Sequence, residues 1–328
     1  PFAFLGEVAT PFGIAVVHSC FNIAATLVLL PFSNGLVKLA CLTLPTHEDV
    51  KEMSETDKTL SLLDARFLEK PAYAVEQSRL VASVMADKSR EAMDLAMELL
   101  HNFDEAKAEQ VAQMETDVDR FEDELGTYLV KLSSKQLSNK DSETLNTILH
   151  CIGDFERISD HARNIKEAAQ EMHDKQLVFS EKAQEELKVF ERAVHDVLDL
   201  TMTSFKNGDL NLARQVEPLE EVIDGLSLDV KQRHVRRLRK GKCTIELGFI
   251  LSDVITNFER VSDHCSNIAV CLVQVNEDEF DTHAYLDELR QEDNKDFQSK
   301  VLACREKYQL PPTKQERLAE KNAKLLAE

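Results

Sequence analysis

The 328-residue chain has few of the residues that break helices or fill β-sheets. It contains nine Gly, eight Pro, no Trp and only 6% aromatic residues. Sandwiches and barrels need turn residues and aromatic or β-branched strands, so this scarcity argues against an all-β fold. Ala, Leu, Glu and Lys are abundant instead, and they favour long helices. The composition predicts an all-α protein with almost no strand.

The usual cysteine and catalytic motifs are also missing. The seven cysteines form no C-x-x-C pair, so we interpret them as reduced, small core residues, consistent with a cytosolic body of the protein. The sequence has no Ser/His/Asp order, P-loop or Gly-rich fingerprint, which argues against an enzyme.

Charge is distributed unevenly along the chain. Residues 1–47 carry only Glu7 and Lys38 as formal charges, while the whole chain has a net charge of -20. An acidic body therefore follows an apolar head. This excess of carboxylates argues against binding to nucleic acid, whose phosphates it would repel, and favours basic partners or bound cations.

The apolar head contains a stretch without formal charge from Phe12 to Phe32. A helix needs about 20 such residues to cross about 30 Å of hydrocarbon, so we interpret the stretch as a final transmembrane helix. A buried helix of a soluble core is the alternative. His18, Ser19 and Asn22 share one side of this helix, which makes them candidates for a polar transport path.

Two stretches about a hundred residues apart are nearly the same. Residues 152–165 and 255–268 are identical at nine of fourteen positions. Each contains a Glu and an Asp four residues apart, a spacing that places both carboxylates on one helix face. The chain is therefore an internal duplication with an acidic site in each half.

Helical periodicity begins after Pro71 and predicts three helices in each half, with breaks at turn-forming residues. The repeated stretches also contain apolar rows that we expect in the core. The helices are predicted at 73–103, 106–133, 141–173, 180–206, 209–239 and 243–275. The rows are Ile148, Ile152, Phe155, Ala162 and Ile165, and Leu251, Ile255, Phe258, Cys265 and Ile268.

A second acidic pair precedes each repeated stretch. In an antiparallel helical hairpin, two residues face each other when their numbers average to the position of the turn. The acidic pairs of the first half have midpoints at 137.5, close to a predicted turn, and those of the second half at 240, beside the break at residues 240–241. Four carboxylates in each half are therefore predicted to meet: Glu115, Asp119, Glu156 and Asp160, and Glu217, Glu221, Glu259 and Asp263.

Carboxylates gathered in this way repel one another unless a cation lies between them. Such oxygen ligands suit iron, manganese, zinc, magnesium or calcium. His161 and His264 offer an imidazole ligand or a supporting hydrogen bond, and Asn164 and Asn267 share the helix face of the neighbouring Asp. The alternative is a solvated acidic surface.

The repeated segment Phe155-Glu156-Arg157-Ile158-Ser159-Asp160-His161 and its second copy resemble the signature of the PhoU family, over about residues 75–275. In that family Gly is common at the position of Ser159 and Ser262. The resemblance implies paired three-helix bundles with a multinuclear metal cluster, often iron or zinc, in each. It carries the metal ligands over to the eight carboxylates named above, where Glu221 replaces the usual Asp.

The head from Gly13 to Phe32 resembles the last transmembrane part of bacterial sodium/phosphate cotransporters, many of which end in a PhoU-like domain. Their Gln-Ser-Ser repeats are absent, so the transport core, with its sodium and inorganic phosphate sites, is expected upstream of Pro1. This resemblance implies the inner membrane, a cytoplasmic PhoU-like domain and a regulatory role. The expected divisions are 1–47 membrane part, 48–71 linker, 72–175 first bundle, 176–276 second bundle and 277–328 helical tail.

Two other functions remain open at this point. One is a soluble PhoU-type regulator that binds a phosphate-uptake permease or a sensor kinase. A homo-oligomer is among the expected partners of the chain under either function. The other is a di-iron protein of ferritin type, which needs two Glu-x-x-His pairs. Only Glu98 and His101 have that spacing.

Overall fold

The computed structural model describes residues 11–29, 53–275, 286, 289–290 and 294–313. These residues form helices and no strand, which confirms the all-α prediction. The chain divides into two compact units, Pro1–Met53 and Ser54–Glu328.

The described part of the first unit is one helix, α1 (Pro11–Leu29). Its 19 residues rise about 28 Å, slightly less than the roughly 30 Å of a hydrocarbon core. None of the helices in the described ranges has the length and apolar character needed to span a bilayer. The predicted transmembrane helix is therefore not supported. Residues 30–32 of that prediction lie outside the described residues.

The second unit begins where a linker was predicted. Residues 48–52 lie outside the described part, but helix α2 (Glu55–Leu60) and a 3-10 helix (Ala65–Glu69) follow. Ser54 caps α2 by accepting a hydrogen bond from the Asp57 amide. Thr56 and Leu60 are buried, so this segment packs as part of the fold.

The first bundle contains three helices: α3 (Pro71–Leu99), α4 (Glu105–Ser133) and α5 (Asn139–Asp174). Each start has a local cause. Pro71 is the first residue of α3, where its missing N–H has no intrahelical partner to lose. The Asp104 and Ser138 side chains cap α4 and α5.

The second bundle contains α6 (Glu181–Asn207), α7 (Leu210–Ala213), α8 (Val216–Arg239) and α9 (Ile245–Gln274). The helix predicted over 209–239 is thus broken at residues 214–215. Pro218 in the first turn of α8 explains the break, because proline lacks the N–H that a continuous helix would need there. Helix α10 (Lys295–Lys307) follows in the tail and packs on α8.

One hydrophobic core runs through both bundles. Helices α5 and α9, which carry the repeated stretches, contact each other, and α3 contacts α6. Phe155 packs edge-to-face on Phe205, and Phe258 packs in the same way on Phe190, with ring centroids 4.9 and 5.3 Å apart. All ten residues of the predicted apolar rows are buried, which confirms them as core.

Candidate metal centre

The first acidic cluster lies between α4 and α5. Glu115 and Asp119 are one turn apart on α4, and Asp160 faces them from α5. One carboxylate oxygen from each of the three lies within 4.8 Å of the others. Glu115 is buried, Asp160 is half-buried and Asp119 is exposed, so the cluster opens to solvent at one side.

Mutual repulsion and burial act on these acids. Burial, with the Asp160 charge next, raises the pKa of Glu156 from 4.5 to about 7. Burial and the charges of Glu115 and Asp160 raise the pKa of Asp119. The structure thus brings all four residues predicted in the first half into one electrostatic group. Arg163 donates a hydrogen bond of 2.7 Å to Glu115 at its edge.

The second acidic cluster lies between α8 and α9 but uses a different set of residues. Glu220, Asp224 and Asp263 place carboxylate oxygens within 4.8 Å of one another. The sequence reasoning named Glu217 and Glu221 at the α8 positions. Both lie on α8, three residues before Glu220 and Asp224.

The displacement arises from the position of the hairpin tip. Residues 240–244 connect α8 to α9, so the tip is centred near residue 242, two residues beyond the break at 240 that the prediction used. Glu220 and Asp263 have their midpoint at 241.5, whereas Glu217 and Asp263 have it at 240. With Asp263 held fixed on α9, the residue that faces it on α8 changes by twice the change in the midpoint. The residue that faces Asp263 is therefore three positions further along α8, at Glu220 and not at Glu217.

The remaining predicted carboxylates of the second half have cationic partners. Glu217 is bound by Arg290 and accepts a hydrogen bond of 2.6 Å from Ser266. Glu221 lies 3.6 Å from Arg305.

Glu259 lies beside a lysine of its own hairpin. It accepts hydrogen bonds from Ser227 at 2.7 Å and Lys231 at 2.9 Å. Burial opposes its ionisation, but these two donors outweigh it and lower the pKa of Glu259. The lysine therefore holds Glu259 in its charged form at the side of the cluster.

Each of the three converging acids of the second half has a raised pKa. Burial and the neighbouring Glu217 raise the pKa of Glu220 to about 8. Burial and Asp263 raise the pKa of Asp224 to about 6. Burial also raises the pKa of Asp263, although Arg260 opposes the shift. A cation at this position would relieve the repulsion.

The predicted supporting residues pair across the two bundles and not with the clusters. His161 Nδ1 lies 2.8 Å from Asn257 Oδ1, and Asn164 donates to the same oxygen at 3.2 Å. In the symmetric position, His264 Nδ1 lies 2.8 Å from Asp154. Asn267 also donates a hydrogen bond of 3.2 Å to Asp154. The two imidazole rings lie near each other, with centroids 5.5 Å apart.

The two clusters have a suitable donor set for a metal ion. Oxygen ligands bound to one ion at 2.0–2.5 Å lie up to roughly 4–5 Å apart, and the carboxylate oxygens of each cluster lie within 4.8 Å of one another. Both sets contain carboxylates only, which favours hard divalent or trivalent cations. The binding of a metal by these residues stays a prediction.

The sequence pattern of the PhoU domain matches residues 82–169 and 189–272. The chain belongs to the PhoU family. The two matched ranges contain all six carboxylates of the two clusters and exclude α10.

Two curated PhoU proteins are similar in sequence. The phosphate-specific transport system accessory protein PhoU homolog 1 of Thermotoga maritima is 25% identical over 179 residues, covering 54% of this chain and 76% of that protein. The PhoU homolog of Synechocystis is 24% identical over 164 residues, covering 49% of this chain and 70% of that protein.

Two solved PhoU structures have the same fold. PhoU from Pseudomonas aeruginosa superposes with a TM-score of 0.57 at 20% identity, covering 61% of this chain and 95% of that one. The phosphate transport system regulatory protein PhoU from Streptococcus pneumoniae gives 0.57 at 18% identity, covering 64% and 99%. At this level of identity the likeness establishes the PhoU fold.

Proposed function

We propose that this chain is a PhoU-type regulator of phosphate transport that binds a metal ion in each of its two bundles. The names of its relatives place them in phosphate-specific transport systems. The observation that carries the metal part is the convergence of three carboxylates at the matching place of each duplicated hairpin. A solvated acidic surface does not require burial, yet Glu115 and Glu220 are both buried.

The residues proposed to hold the ions are Glu115, Asp119, Asp160 and Glu156 in the first bundle, and Glu220, Asp224 and Asp263 in the second. A bound metal supplies positive charge that offsets the repulsion among these groups. The carboxylates belong to different helices, so their attraction to one centre fixes α4 on α5 and α8 on α9. Iron or zinc is the identity that the family resemblance implies.

A phosphate-uptake experiment tests the regulatory part. In cells that carry the natural gene, deletion of the region encoding residues 54–328 is expected to remove the dependence of phosphate uptake on external phosphate. The double variant Asp160→Asn, Asp263→Asn is expected to behave in the same way while staying folded. Uptake that responds normally to phosphate in the deletion strain would contradict the proposed function.

The sodium-dependent phosphate symporter stays a second prediction. The uncharged sequence of Pro11–Leu29 suggested it, but none of the described helices has the length and apolar character of a membrane span. The symporter requires the inner membrane as location and a cytoplasmic PhoU domain. Fractionation of cells that express the natural gene separates the two candidates, because the symporter must sediment with membranes after washing in high salt and carbonate. Recovery in the supernatant would exclude it. Two further properties stay predictions: the chain has no enzymatic activity, and it forms a homo-oligomer.

A further inference from the structure

The second acidic cluster is in contact with a cation that comes from outside the duplicated bundles. Arg290 belongs to the tail, beyond the range matched by the PhoU domain. Its Nε donates to Glu217 Oε1 at 2.8 Å, and its Nη2 binds both Glu217 and Glu220, the latter at 2.9 Å. Glu220 is one of the three carboxylates that converge in this cluster.

The contact is built into the fold. The side chains of Glu217 and Glu220 are only 4% and 6% exposed, so a charge on either needs a partner. Arg290 supplies that partner to both. Its own position is fixed by the segment that follows, because Asn294 donates a hydrogen bond of 3.1 Å to the Leu289 carbonyl.

The tail is held against α8 by a helix with its own apolar anchors. Phe297 and Val301 of α10 are buried, and so is Tyr308 directly after it. The Tyr308 hydroxyl donates to Asp196 of α6, which Lys307 also contacts at 2.6 Å. Arg290 therefore reaches the cluster only when this part of the tail is docked.

Among the described residues, the first cluster has no equivalent contact from the tail. Two arginines lie beside it, and both belong to α5 itself. Arg163, which is 51% exposed, binds Glu115 and also contacts Glu167. Arg157, which is 62% exposed, lies 3.6 Å from Asp160. The two clusters thus share a donor set but differ in the element from which a neighbouring cation comes.

We propose that Arg290 is an internal cation that competes with metal at the Glu220, Asp224 and Asp263 cluster, so that docking of the tail and metal binding there exclude each other. The inference rests on the proposed metal binding of the two clusters. When two cations compete for one set of carboxylates, each weakens the binding of the other by the same factor. The first cluster accordingly binds metal more tightly than the second, and metal at the second cluster releases the tail.

Manganese binding to the full chain tests the competition. The variant Asp160→Asn disables the first cluster and leaves the second to be measured by calorimetry and by metal content after dialysis against MnCl₂. Adding Arg290→Gln is expected to tighten Mn²⁺ binding by about tenfold. Arg290→Lys, which keeps the positive charge, is expected to preserve most of the weak binding.

Arg305→Gln is the matched control, because Arg305 lies on the same tail and, among the described carboxylates of α8 and α9, pairs with Glu221, at 3.6 Å. It is expected to leave the affinity unchanged. The reciprocal measurement uses the wild-type chain and does not depend on how any variant folds. Saturating Mn²⁺ should accelerate amide hydrogen exchange in residues 294–308, and Asp263→Asn should abolish that acceleration.

Equal or weaker Mn²⁺ binding in the folded Arg290→Gln variant, or unchanged exchange in the tail of a metal-loaded chain, would overturn the competition. In those cases Mn²⁺ binding at the first cluster, measured in Asp263→Asn, would still support the proposed function. Failure of every variant to bind Mn²⁺ would refute both.

Discussion

A shift of three residues along α8 separates the acids predicted from sequence in the second bundle from the acids that converge. Glu217 and Glu221 agree in number with Glu115 and Asp119 at a constant offset of 102, but Glu220 and Asp224 meet Asp263. The repeat offset is constant along a helix, whereas the loop between two helices can change it. Side-chain charge alone therefore did not reveal which acid of α8 faces α9.

The choice between these two sets can be tested at the residue level. We expect Asp224→Asn to weaken metal binding at the second cluster by at least about tenfold, because even outer-shell groups are commonly worth about 10–100-fold. Glu221→Gln on the same helix face is the control and should change the affinity by less than about twofold. Isothermal titration with Mn²⁺ in the Asp160→Asn background measures both. A larger loss of affinity in Glu221→Gln than in Asp224→Asn would favour Glu217 and Glu221, the residues predicted from sequence.

Metal binding at the first cluster should depend on pH through Glu156. With its pKa raised to about 7, Glu156 is mostly protonated at pH 6 and mostly charged at pH 8. A metal must displace this proton, so affinity should rise between pH 6 and 8 and binding should release a proton. Titrations in two buffers of different ionisation enthalpy count the proton. Glu156→Gln should flatten the profile, and an unchanged profile would remove Glu156 from the site.

In the metal-free chain, Glu156 makes the folding stability fall, not rise, as pH increases over this range. A carboxyl whose folded pKa lies above its unfolded value of 4.5 stabilises the fold fully below 4.5 and loses that contribution as pH rises through about 7. Bound metal is therefore expected to increase the folding stability most at the alkaline end of this range.

At the scale of helices, the contact between α3 and α6 is lined by ionic groups. His101, just after α3, places Nε2 at 2.8 Å from Glu191 of α6, and His195 of α6 lies 2.8 Å from Asp94 of α3. Lys206 and Asp87 add a pair at 2.6 Å. These groups join the two bundles at the α3–α6 contact, in addition to the His161 and His264 contacts between α5 and α9.

The His101 contact predicts a pH-dependent stability. The hydrogen bond to Glu191 raises the pKa of His101 above its ordinary 6.5. Its stabilising effect is thus fully present below about pH 6.5 and is lost as pH rises through the higher folded value. Urea unfolding at pH 6 and pH 8.5 should show this loss in the wild type. Glu191→Gln should make the total loss of stability smaller than in the wild type, because only the contribution of Glu156 and the other raised carboxyls remains. Glu185→Gln, an exposed change on the same helix, should leave the loss as large as in the wild type.

Most helices could be predicted because local signals mark them. Pro71, the caps Asp104 and Ser138, and the left-handed Gly208 after α6 all lie at or next to the observed ends. The break before α8 had a signal as well, in Pro218, but the apolar periodicity on both sides obscured it. Packing of residues 55–69 on the bundle depends on distant contacts, such as Tyr128 donating to the Asp64 carbonyl at 3.2 Å. No local pattern encodes these.

At the scale of the whole unit, the two bundles share a core and should unfold together. Phe155 and Phe258 each pack on α6, so a defect in either bundle affects the same contacts. We expect one calorimetric transition for residues 54–328, with equal calorimetric and van't Hoff enthalpies. Phe258→Leu should keep a single transition and lower the free energy of unfolding by about 1–2 kcal/mol.

Leu228, which is 59% exposed on α8, provides the control. Leu228→Ala should change stability by no more than about 0.5 kcal/mol. Two separate transitions in the wild type, of which Phe258→Leu moves only one, would show that the bundles unfold independently.

The crossed contacts between α5 and α9 have a consequence for how the duplicated chain arose. His161 meets Asn257, and His264 meets Asp154, which are the same two signature positions taken in opposite order. Such an exchange is the hallmark of an isologous interface between identical subunits. A single-copy ancestor would therefore have been a two-fold dimer, and gene fusion converted its association into an intramolecular event that dilution no longer reverses.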